Sequence, residues 1–349
     1  MKTKGNQNSR RKFINNIATL TAGVTVGGSK LWGAPAYIPN LLQNKASLKG
    51  VQIGLITYSF RSLKDQSAEA TLQYILDSGA NSVELMGRTA ESYIGRPETK
   101  VDGRMFYRLM RKERKKTLTK DETKQLAEFK KQQKSFDKEI ENWKKTRSID
   151  GFSKLKQMYR AAGVEIYAFK PDYLLSKGNS DADINYAMQA GKMLGANHVT
   201  LELPNDPLHS LRLGKLAQKN GIKVAYHGHE QQHAHWWDTA LEQSSHNAIN
   251  LDLGHYTAAG NTDSLEFIQK QHKTILSMHV KDRQNPENGK KNLPFGQGDT
   301  PIKEVLKLMR DQNYNFPATV EYEYRTPKDS SVIEEVKKSI EYCKNALDS

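Results

Sequence analysis

Short apolar runs recur along the chain from residue 50 onward, and each is followed by a segment in which apolar residues have helical spacing. Turn residues bound the runs, and glycine ends several of the helical segments, as in SGANSVEL and LGANHVTL. Apolar runs of this length between turn residues are typical of parallel strands covered by helices. The predicted strands are residues 52–60, 82–87, 165–172, 198–204, 223–230, 249–256, 275–282 and 318–324.

The alternation of these runs with helical segments predicts the fold. Eight strands, each followed by a helix, indicate a (β/α)8 TIM barrel over residues 50–349, and SSVIEEVKKSIEYCKNAL is the helix expected to close the ring. In such barrels the working residues lie at the C-terminal ends of the strands. The single cysteine, Cys343, falls in the last helix and excludes an intramolecular disulfide.

One segment, residues 98–150, interrupts the alternation of strands and helices between the second and third strands. It is predicted to form one or two long charged helices. Residues 100–160 hold 20 Lys and Arg against 9 Asp and Glu, so much of the net charge of +14 lies here. Charge patterns of this kind are usually solvated helical hairpins. A lid over the barrel mouth, an oligomer contact and a docking surface for an anionic partner stay open as alternatives.

The first 36 residues have the pattern of an export signal. They hold 6 basic and no acidic groups, then a moderately apolar stretch and a small-residue end at Ala34-Pro35-Ala36. The pair Arg10-Arg11 favours the twin-arginine type over an ordinary secretory signal. We therefore expect a periplasmic protein, and no stretch of the mature chain is apolar enough to span a membrane.

Ionisable side chains follow the ends of at least six predicted strands. Such groups are costly to bury, by several kcal/mol each, unless they are paired or bind a metal. Any one of them alone could be a satisfied structural residue, but together at one end of a barrel they predict a site. They are Glu84, Glu202, His227, His229, Asp252, His279 and Glu321.

The strings VELMG, YHGHE, LDLGH, MHVKD, FGQGDTPIKEVLKLM and VEYEY resemble the xylose-isomerase-like sugar isomerase/epimerase superfamily. The resemblance covers residues 50–345 apart from the charged insertion. It implies one divalent ion held by four strands, with the ligands His227, Asp252, His279 and Glu321. Two imidazoles and two carboxylates suit Mn²⁺, Co²⁺, Zn²⁺ or Fe²⁺ better than Ca²⁺, and Mn²⁺ is favoured.

The acid/base group is the point at which this chain departs from the family pattern. Many members have a glutamate on the fifth strand where this chain has His227, so proton transfer is assigned to His227, Glu202, Glu321 or Lys281. Lys281 is expected to neutralise a developing oxyanion or, alternatively, to form a surface salt bridge with Asp282. The residues expected to contact the substrate are Glu84, His229, His255 and Trp236, with core packing as the alternative for one of the adjacent pair Trp236 and Trp237.

These expectations favour two reactions. The first is a metal-dependent isomerase or epimerase that acts on a small sugar or keto-sugar through an enediolate. The second is a 3-keto-glycoside lyase or hydratase that uses the same first step and then eliminates the glycosidic oxygen. An abasic-site endonuclease is disfavoured, because the second and third strands lack its additional metal-binding histidines, so no nucleic acid is expected. A non-catalytic sugar-binding protein and homo-oligomerisation are left open.

Overall fold

The structure, a computed structural model, describes residues 47–349. The predicted export signal lies outside these residues. Among the helices of the described part, none is both long and apolar enough to cross a membrane.

Eight parallel strands form a closed barrel, as the sequence predicts. Strand β2 pairs with β3 on one side and with β11 on the other, which closes the ring. The remaining barrel strands follow in chain order, so neighbours in sequence are neighbours in space. The strands are β1 (Ser47–Leu48), β2 (Val51–Ile56), β3 (Ser82–Met86), β4 (Glu165–Lys170), β5 (His198–Glu202), β6 (Lys223–His227), β7 (Asn247–Asp252), β8 (Ile275–Val280), β9 (Asp282–Arg283), β10 (Asn292–Leu293) and β11 (Ala318–Val320).

Helices cover the outside of the barrel, and their ends follow the predicted signals. Ser180 caps the N-terminus of α6 through its hydroxyl, and Gly195 ends that helix in the left-handed conformation with φ of 87°. The helices are α1 (Ala68–Asp77), α2 (Gly87–Tyr93), α3 (Gly103–Arg114), α4 (Lys120–Thr146), α5 (Asp150–Ala161), α6 (Asp181–Leu194), α7 (Pro207–Asn220), α8 (Asp238–Gln243), α9 (Leu253–Ala258), α10 (Ser264–Gln271), α11 (Ile302–Asp311) and α12 (Val332–Asp348), with 3₁₀ turns at Thr57–Phe60 and Asp172–Leu175.

Four helices, α2 to α5, lie between the second and third barrel strands, and α3 and α4 fall within the predicted insertion at residues 98–150. Thr119 and Glu122 form a capping box that starts α4. The C-terminal end of α4 is anchored on α6: Trp143 is buried and meets the ring of Tyr186 edge-on, with centroids 6.4 Å apart. Arg147, just after α4, pairs with Asp183 at 2.6 Å. The middle of α3 and α4 is largely solvated.

The register of the parallel strands brings the ends of β6, β7 and β8 to one mouth of the barrel. Asp252 lies opposite His279, and His227 lies opposite Asn250, two residues before Asp252 on the same strand. The predicted strand at 318–324 is shorter in the structure, since β11 ends at Val320. Glu321, Lys281 and His229 therefore lie just beyond strand ends, where the backbone turns into the loops of the mouth.

Candidate metal centre and active site

Three of the four predicted metal ligands converge at the mouth. One donor atom from each of His227, Asp252 and His279 lies within 4.8 Å of the other two. The carboxylate oxygen Oδ2 of Asp252 is 3.8 Å from His227 Nε2 and 3.8 Å from His279 Nδ1. All three side chains are buried, although each is ionisable. Their convergence follows from their places at the ends of adjacent parallel strands.

His279 is held by carboxylates on both ring nitrogens. Its Nε2–H donates to Glu84 Oε2 at 2.7 Å, and Nδ1 lies 3.1 Å from Glu321 Oε2. Burial alone would lower the pKa of His279, but Glu84 and Glu321 outweigh it and raise the pKa to about 10. A histidine that binds a metal through one nitrogen commonly donates the other N–H to a carboxylate. In His279 the Nε2–H is donated to Glu84, and Nδ1, which faces Asp252 and Glu321, would release its hydrogen to bind a cation.

Glu84 orients His279 and is not available to a sugar. Its side chain is fully buried, and its second oxygen accepts a hydrogen bond from Thr200 at 2.6 Å. Burial opposes ionisation, yet His279 and Lys170 hold the pKa of Glu84 at about 2. This position argues against the contact with substrate hydroxyls that the sequence suggested, because protein partners occupy both oxygens.

His227 has the opposite electrostatic setting from His279. Burial, with smaller contributions from His279 and Lys170, lowers the pKa of His227 to about 4 against the opposing effect of Glu202. The imidazole is therefore neutral at pH 7. Its Nδ1 lies 2.9 Å from the Asn250 side-chain oxygen, which leaves Nε2 on the side of Asp252.

Lys281 balances the negative charge of the site. Its Nζ is 3.0 Å from Asp252 Oδ2, 2.7 Å from Glu321 Oε2 and 2.7 Å from Glu323 Oε2. Burial would lower the pKa of Lys281, but these carboxylates raise it above its usual value. The alternative prediction of a surface salt bridge with Asp282 is wrong, because Lys281 is buried and the Asp282 carboxylate instead accepts backbone N–H groups of the 296–300 loop.

The donor set fits a transition metal. Asp252 Oδ2 is buried and accepts no hydrogen bond, although Lys281 provides a charge partner. Buried oxygens without hydrogen bonds are costly, so this atom marks a position where a cation would be stabilised. Glu321, the fourth predicted ligand, is close to His279 and is paired with Lys281. Imidazole nitrogens and carboxylate oxygens together favour Mn²⁺, Fe²⁺, Co²⁺ or Zn²⁺.

A more exposed cluster lies at the rim of the mouth. His229 Nδ1 is 3.3 Å from Glu202 Oε2, and the other oxygen of Glu202 accepts a hydrogen bond from Lys170 at 3.2 Å. Burial opposes ionisation of Glu202, but His227, Lys170 and His229 lower its pKa to about 2. Lys170 was missed from the sequence. Its signal was a lysine that ends an otherwise apolar strand run, EIYAFK, immediately before proline.

His255 lies beside this cluster, in the first turn of α9. The guanidinium of Arg283 donates to His255 Nδ1, and burial together with Lys281 and Arg283 lowers the pKa of His255 to about 2. His255 can form a second donor group with His227 and His229. Because Arg283 occupies Nδ1, the hydrogen of the neutral ring resides on Nε2. His255 is thus a hydrogen-bond donor and not a ligand, which leaves the group with Asp252 and His279 as the metal candidate.

The two adjacent tryptophans have different places. Trp237 is buried in the core and donates from Nε1 to the Tyr226 carbonyl at 2.9 Å. Trp236 lines a cavity of about 220 Å³ next to the loop after β5, with Leu203 and Pro204. Of the pair, only Trp237 packs fully in the core, and the contact of Trp236 with a substrate stays a prediction.

Comparison with known proteins identifies a relative by sequence and several structures with the same fold. Inosose dehydratase of Clostridium perfringens (strain ATCC 13124) is 28% identical over 153 residues, which are 38% of this chain and 51% of that protein. The chain thus spans about half the length of the curated relatives it matches. Two known structures, each under 25% identical to this chain, share its fold, and the likeness shows the fold alone.

A xylose isomerase domain protein from Alicyclobacillus acidocaldarius superposes with a TM-score of 0.57 at 14% identity, over 85% of this chain and 98% of that one. The IOLI protein, solved with a zinc atom, gives 0.50 at 14% identity, over 84% and 97%. The profile of one family, described as a xylose isomerase-like TIM barrel, matches residues 128–346, more than half of the chain. The chain therefore belongs to the xylose isomerase-like TIM barrel family.

Proposed function

We propose that this chain is a divalent-metal-dependent enzyme that isomerises or epimerises a keto-sugar by moving the proton next to its carbonyl group. The observation that carries the proposal is the Asp252 carboxylate oxygen, which is buried, accepts no hydrogen bond and lies 3.8 Å from a nitrogen of each of two histidines. One oxygen of this carboxylate caps α9 by accepting the His255 N–H, and Oδ2 lies 3.0 Å from the Lys281 ammonium, so a divalent cation would be stabilised beside the same oxygen. The similarity to a sugar-acting relative supports the substrate class.

The residues that would hold the cation are His227, Asp252, His279 and Glu321, and Mn²⁺ is the favoured ion. When bound, a divalent cation supplies Lewis-acid stabilisation of the negative charge that develops on the sugar oxygens. Lys281 lies among the same carboxylates and offers a second positive charge there. His255, a donor through Nε2, can hydrogen-bond a sugar oxygen at the mouth.

Proton transfer is assigned to His229, with Glu202 as its positioning residue. His229 is half exposed, and its Nδ1 lies 3.3 Å from Glu202 Oε2. A ring hydrogen on Nδ1, on the side of this carboxylate, leaves Nε2 with a lone pair that can accept the proton from carbon and return it to a neighbouring carbon or to the opposite face. The low pKa of Glu202, about 2, keeps its carboxylate ionised. Glu202 is therefore better suited to orient His229 than to act as the base.

A second candidate reaction is favoured by one observation, the similarity to inosose dehydratase. In this reaction the same base takes the proton beside the carbonyl, and the electron pair then expels an oxygen substituent on the adjacent carbon. The leaving oxygen takes up a proton, so water is lost from a hydroxy ketone or the aglycone alcohol from a 3-keto-glycoside. The two reactions share their first step and differ in whether a carbon–oxygen bond breaks.

The test separates metal binding from chemistry. We expect about one transition-metal ion per chain in the purified protein and substantially less in Asp252→Asn and His279→Ala. The variant His229→Gln should keep its metal and lose about 10²–10⁴-fold in deuterium exchange from heavy water into the carbon next to the carbonyl. Full metal content in both ligand variants would overturn the site.

The substrate panel distinguishes the two reactions. With a 3-keto-glycoside, release of the aglycone would identify elimination, whereas exchange of deuterium without release would identify isomerisation or epimerisation. Absence of both exchange and release with keto-sugars, in a protein that holds its metal, would contradict the proposed chemistry.

A further inference from the structure

A chain of buried hydrogen bonds runs from the candidate metal centre through the barrel interior to its opposite end. The Nδ1 of His227 lies 2.9 Å from Asn250 Oδ1, and Asn250 Nδ2 donates to Ser277 Oγ at 2.7 Å. Ser277 Oγ lies 2.9 Å from His198 Nε2. All four side chains are at most 4% exposed. Polar groups buried this deeply form hydrogen bonds or lose stability, so each hydrogen in the chain has a determined place.

The direction of each hydrogen bond follows from the first. Asn250 presents its oxygen to His227, and an oxygen of an amide only accepts, so the hydrogen of the His227 ring resides on Nδ1. Asn250 then uses its NH₂ group as a donor to Ser277, whose hydroxyl hydrogen is free to turn to His198 Nε2. The same order fixes the His198 hydrogen on Nδ1.

We propose that Asn250, Ser277 and His198 are positioning residues that hold the hydrogen of His227 on Nδ1 and so keep its Nε2 lone pair directed at the cation site. Neutral imidazole has one donor and one acceptor nitrogen, and a ring with its hydrogen on Nε2 would not bind a metal there. The chain acts through His227 and touches neither substrate nor metal. This inference rests on the proposed metal site only in its affinity measurement, since the position of the hydrogen is a property of the metal-free protein.

The chain of hydrogen bonds ends at His198. His198 Nδ1 is buried and has no partner among the residues of the described chain. His198 is the first residue of β5 and borders a cavity of about 500 Å³ at the N-terminal end of the barrel, with Tyr167, His272 and Tyr314 also in its wall. Burial lowers the pKa of His198 to about 4, so the ring is neutral at pH 7 and carries a single hydrogen.

The first measurement is the ring hydrogen of His227, read from nitrogen NMR shifts of the metal-free, ¹⁵N-histidine-labelled full chain. Wild type should have the hydrogen on Nδ1. In Ser277→Ala the amide of Asn250 loses its acceptor, so it can turn over, donate to His227 Nδ1 and move the ring hydrogen to Nε2. Asn250→Asp, which still accepts from Nδ1, should keep the wild-type state and serves as the conservative replacement.

The matched control is Thr319→Ala, which also removes a fully buried hydroxyl from the barrel interior. Thr319 forms a hydrogen bond with Tyr167 at 2.7 Å and, among the described residues, none with Asn250, Ser277 or His198. It should leave the His227 shifts unchanged. A wild-type hydrogen on Nε2 would overturn the inference, as would equal His227 shifts in Ser277→Ala and wild type.

The second measurement is the affinity for Zn²⁺ alone, determined by competition with a chelator. Loss of a group that orients a metal-bound histidine typically weakens metal binding about 10–100-fold. We expect that loss in Ser277→Ala and none in Thr319→Ala. Failure of wild type itself to bind Zn²⁺ would contradict the proposed function and leave the NMR result to decide the inference. Wild-type affinity in Ser277→Ala would contradict the inference alone.

Discussion

At the scale of single residues, Lys281 has the largest predicted effect on stability. Its ammonium group is the nearest positive charge to three carboxylates, those of Asp252, Glu321 and Glu323. Lys281→Met would leave buried carboxylates uncompensated, and breaking a buried pair typically costs about 3–5 kcal/mol. Urea denaturation of the metal-free variant should show this loss, and Mn²⁺ should restore much of it by supplying positive charge to the same oxygens.

The matched control for Lys281 is Lys177→Met. Lys177 pairs with Asp206 at 2.6 Å, but its side chain is 73% exposed. Exposed pairs contribute about 0–1 kcal/mol, so this variant should unfold near the wild-type urea concentration. Equal losses in the two variants, or a loss in Lys281→Met that Mn²⁺ leaves unchanged, would contradict the electrostatic role of Lys281.

The sequence pointed to most residues that the structure brings together in the candidate site, but it could not assign their partners. His279 and Asp252 were visible because each ends an apolar strand run, and parallel strands end at one mouth. Glu84 was visible for the same reason, yet its bond to His279 joins residues 195 positions apart, and only the barrel radius and side-chain rotamers decide such contacts. Lys281 was also predicted as a site residue. Its burial could not be predicted, because a lysine next to an aspartate in sequence is typical of a surface ion pair.

At the scale of elements, the insertion is held at one end. Trp143 is 9% exposed and lies in contact range of Tyr186 and the Arg147 guanidinium, whereas α3 and the start of α4 are mostly exposed. Removing a buried aromatic ring costs about 3–5 kcal/mol. In Trp143→Ala this free energy is lost from the contact between α4 and α6 and not from the barrel. We therefore expect the C-terminal end of α4 to separate from α6.

Limited trypsin digestion measures this opening, since α4 contains many lysines. Cleavage of an open segment follows its equilibrium population, so a loss of about 3 kcal/mol corresponds to about a hundredfold faster cleavage within residues 120–146. The barrel fragments should stay intact. Tyr107→Ala is the control, because Tyr107 is 66% exposed on α3 and should not alter the rate. Unchanged cleavage in Trp143→Ala would show that other contacts hold α4.

The ends of helices and strands were predicted more accurately where the hydrophobic periodicity and the turn residues indicated the same boundary. Gly195 and Gly221 end α6 and α7 in the left-handed conformation, as the repeated turn pattern indicated. The ends of β11 and β6 were overestimated, because ATVEYEY and KVAYHGHE continue with strand-like residues after the backbone has left the sheet. Those extra residues follow the last paired residues of β6 and β11, His227 and Val320.

At the scale of the whole molecule, ring closure joins segments far apart in the chain. Ala318 of β11 lies in register with Ile53 of β2, and α12 packs on β2 and α1. The alternating pattern predicted this closure, since a parallel sheet of eight strands with helices on one side has no other means of pairing both edges. The stability of the closed barrel therefore depends on the contacts that β11 and α12 make with β2 and α1.

Ile340→Ala tests that dependence. Ile340 is 2% exposed at the centre of α12, and deletion of such a side chain costs about 2–5 kcal/mol. Because the ring cannot stay closed when α12 and its neighbours separate, we expect one urea transition at lower concentration, with coincident far-ultraviolet circular dichroism and tryptophan fluorescence.

The control is Glu341→Ala, at an exposed position of the same helix, which should change the free energy of unfolding by about 0.5 kcal/mol at most. Two separated transitions in Ile340→Ala would mean that the two sides of the barrel unfold independently, contrary to closure as the source of its stability.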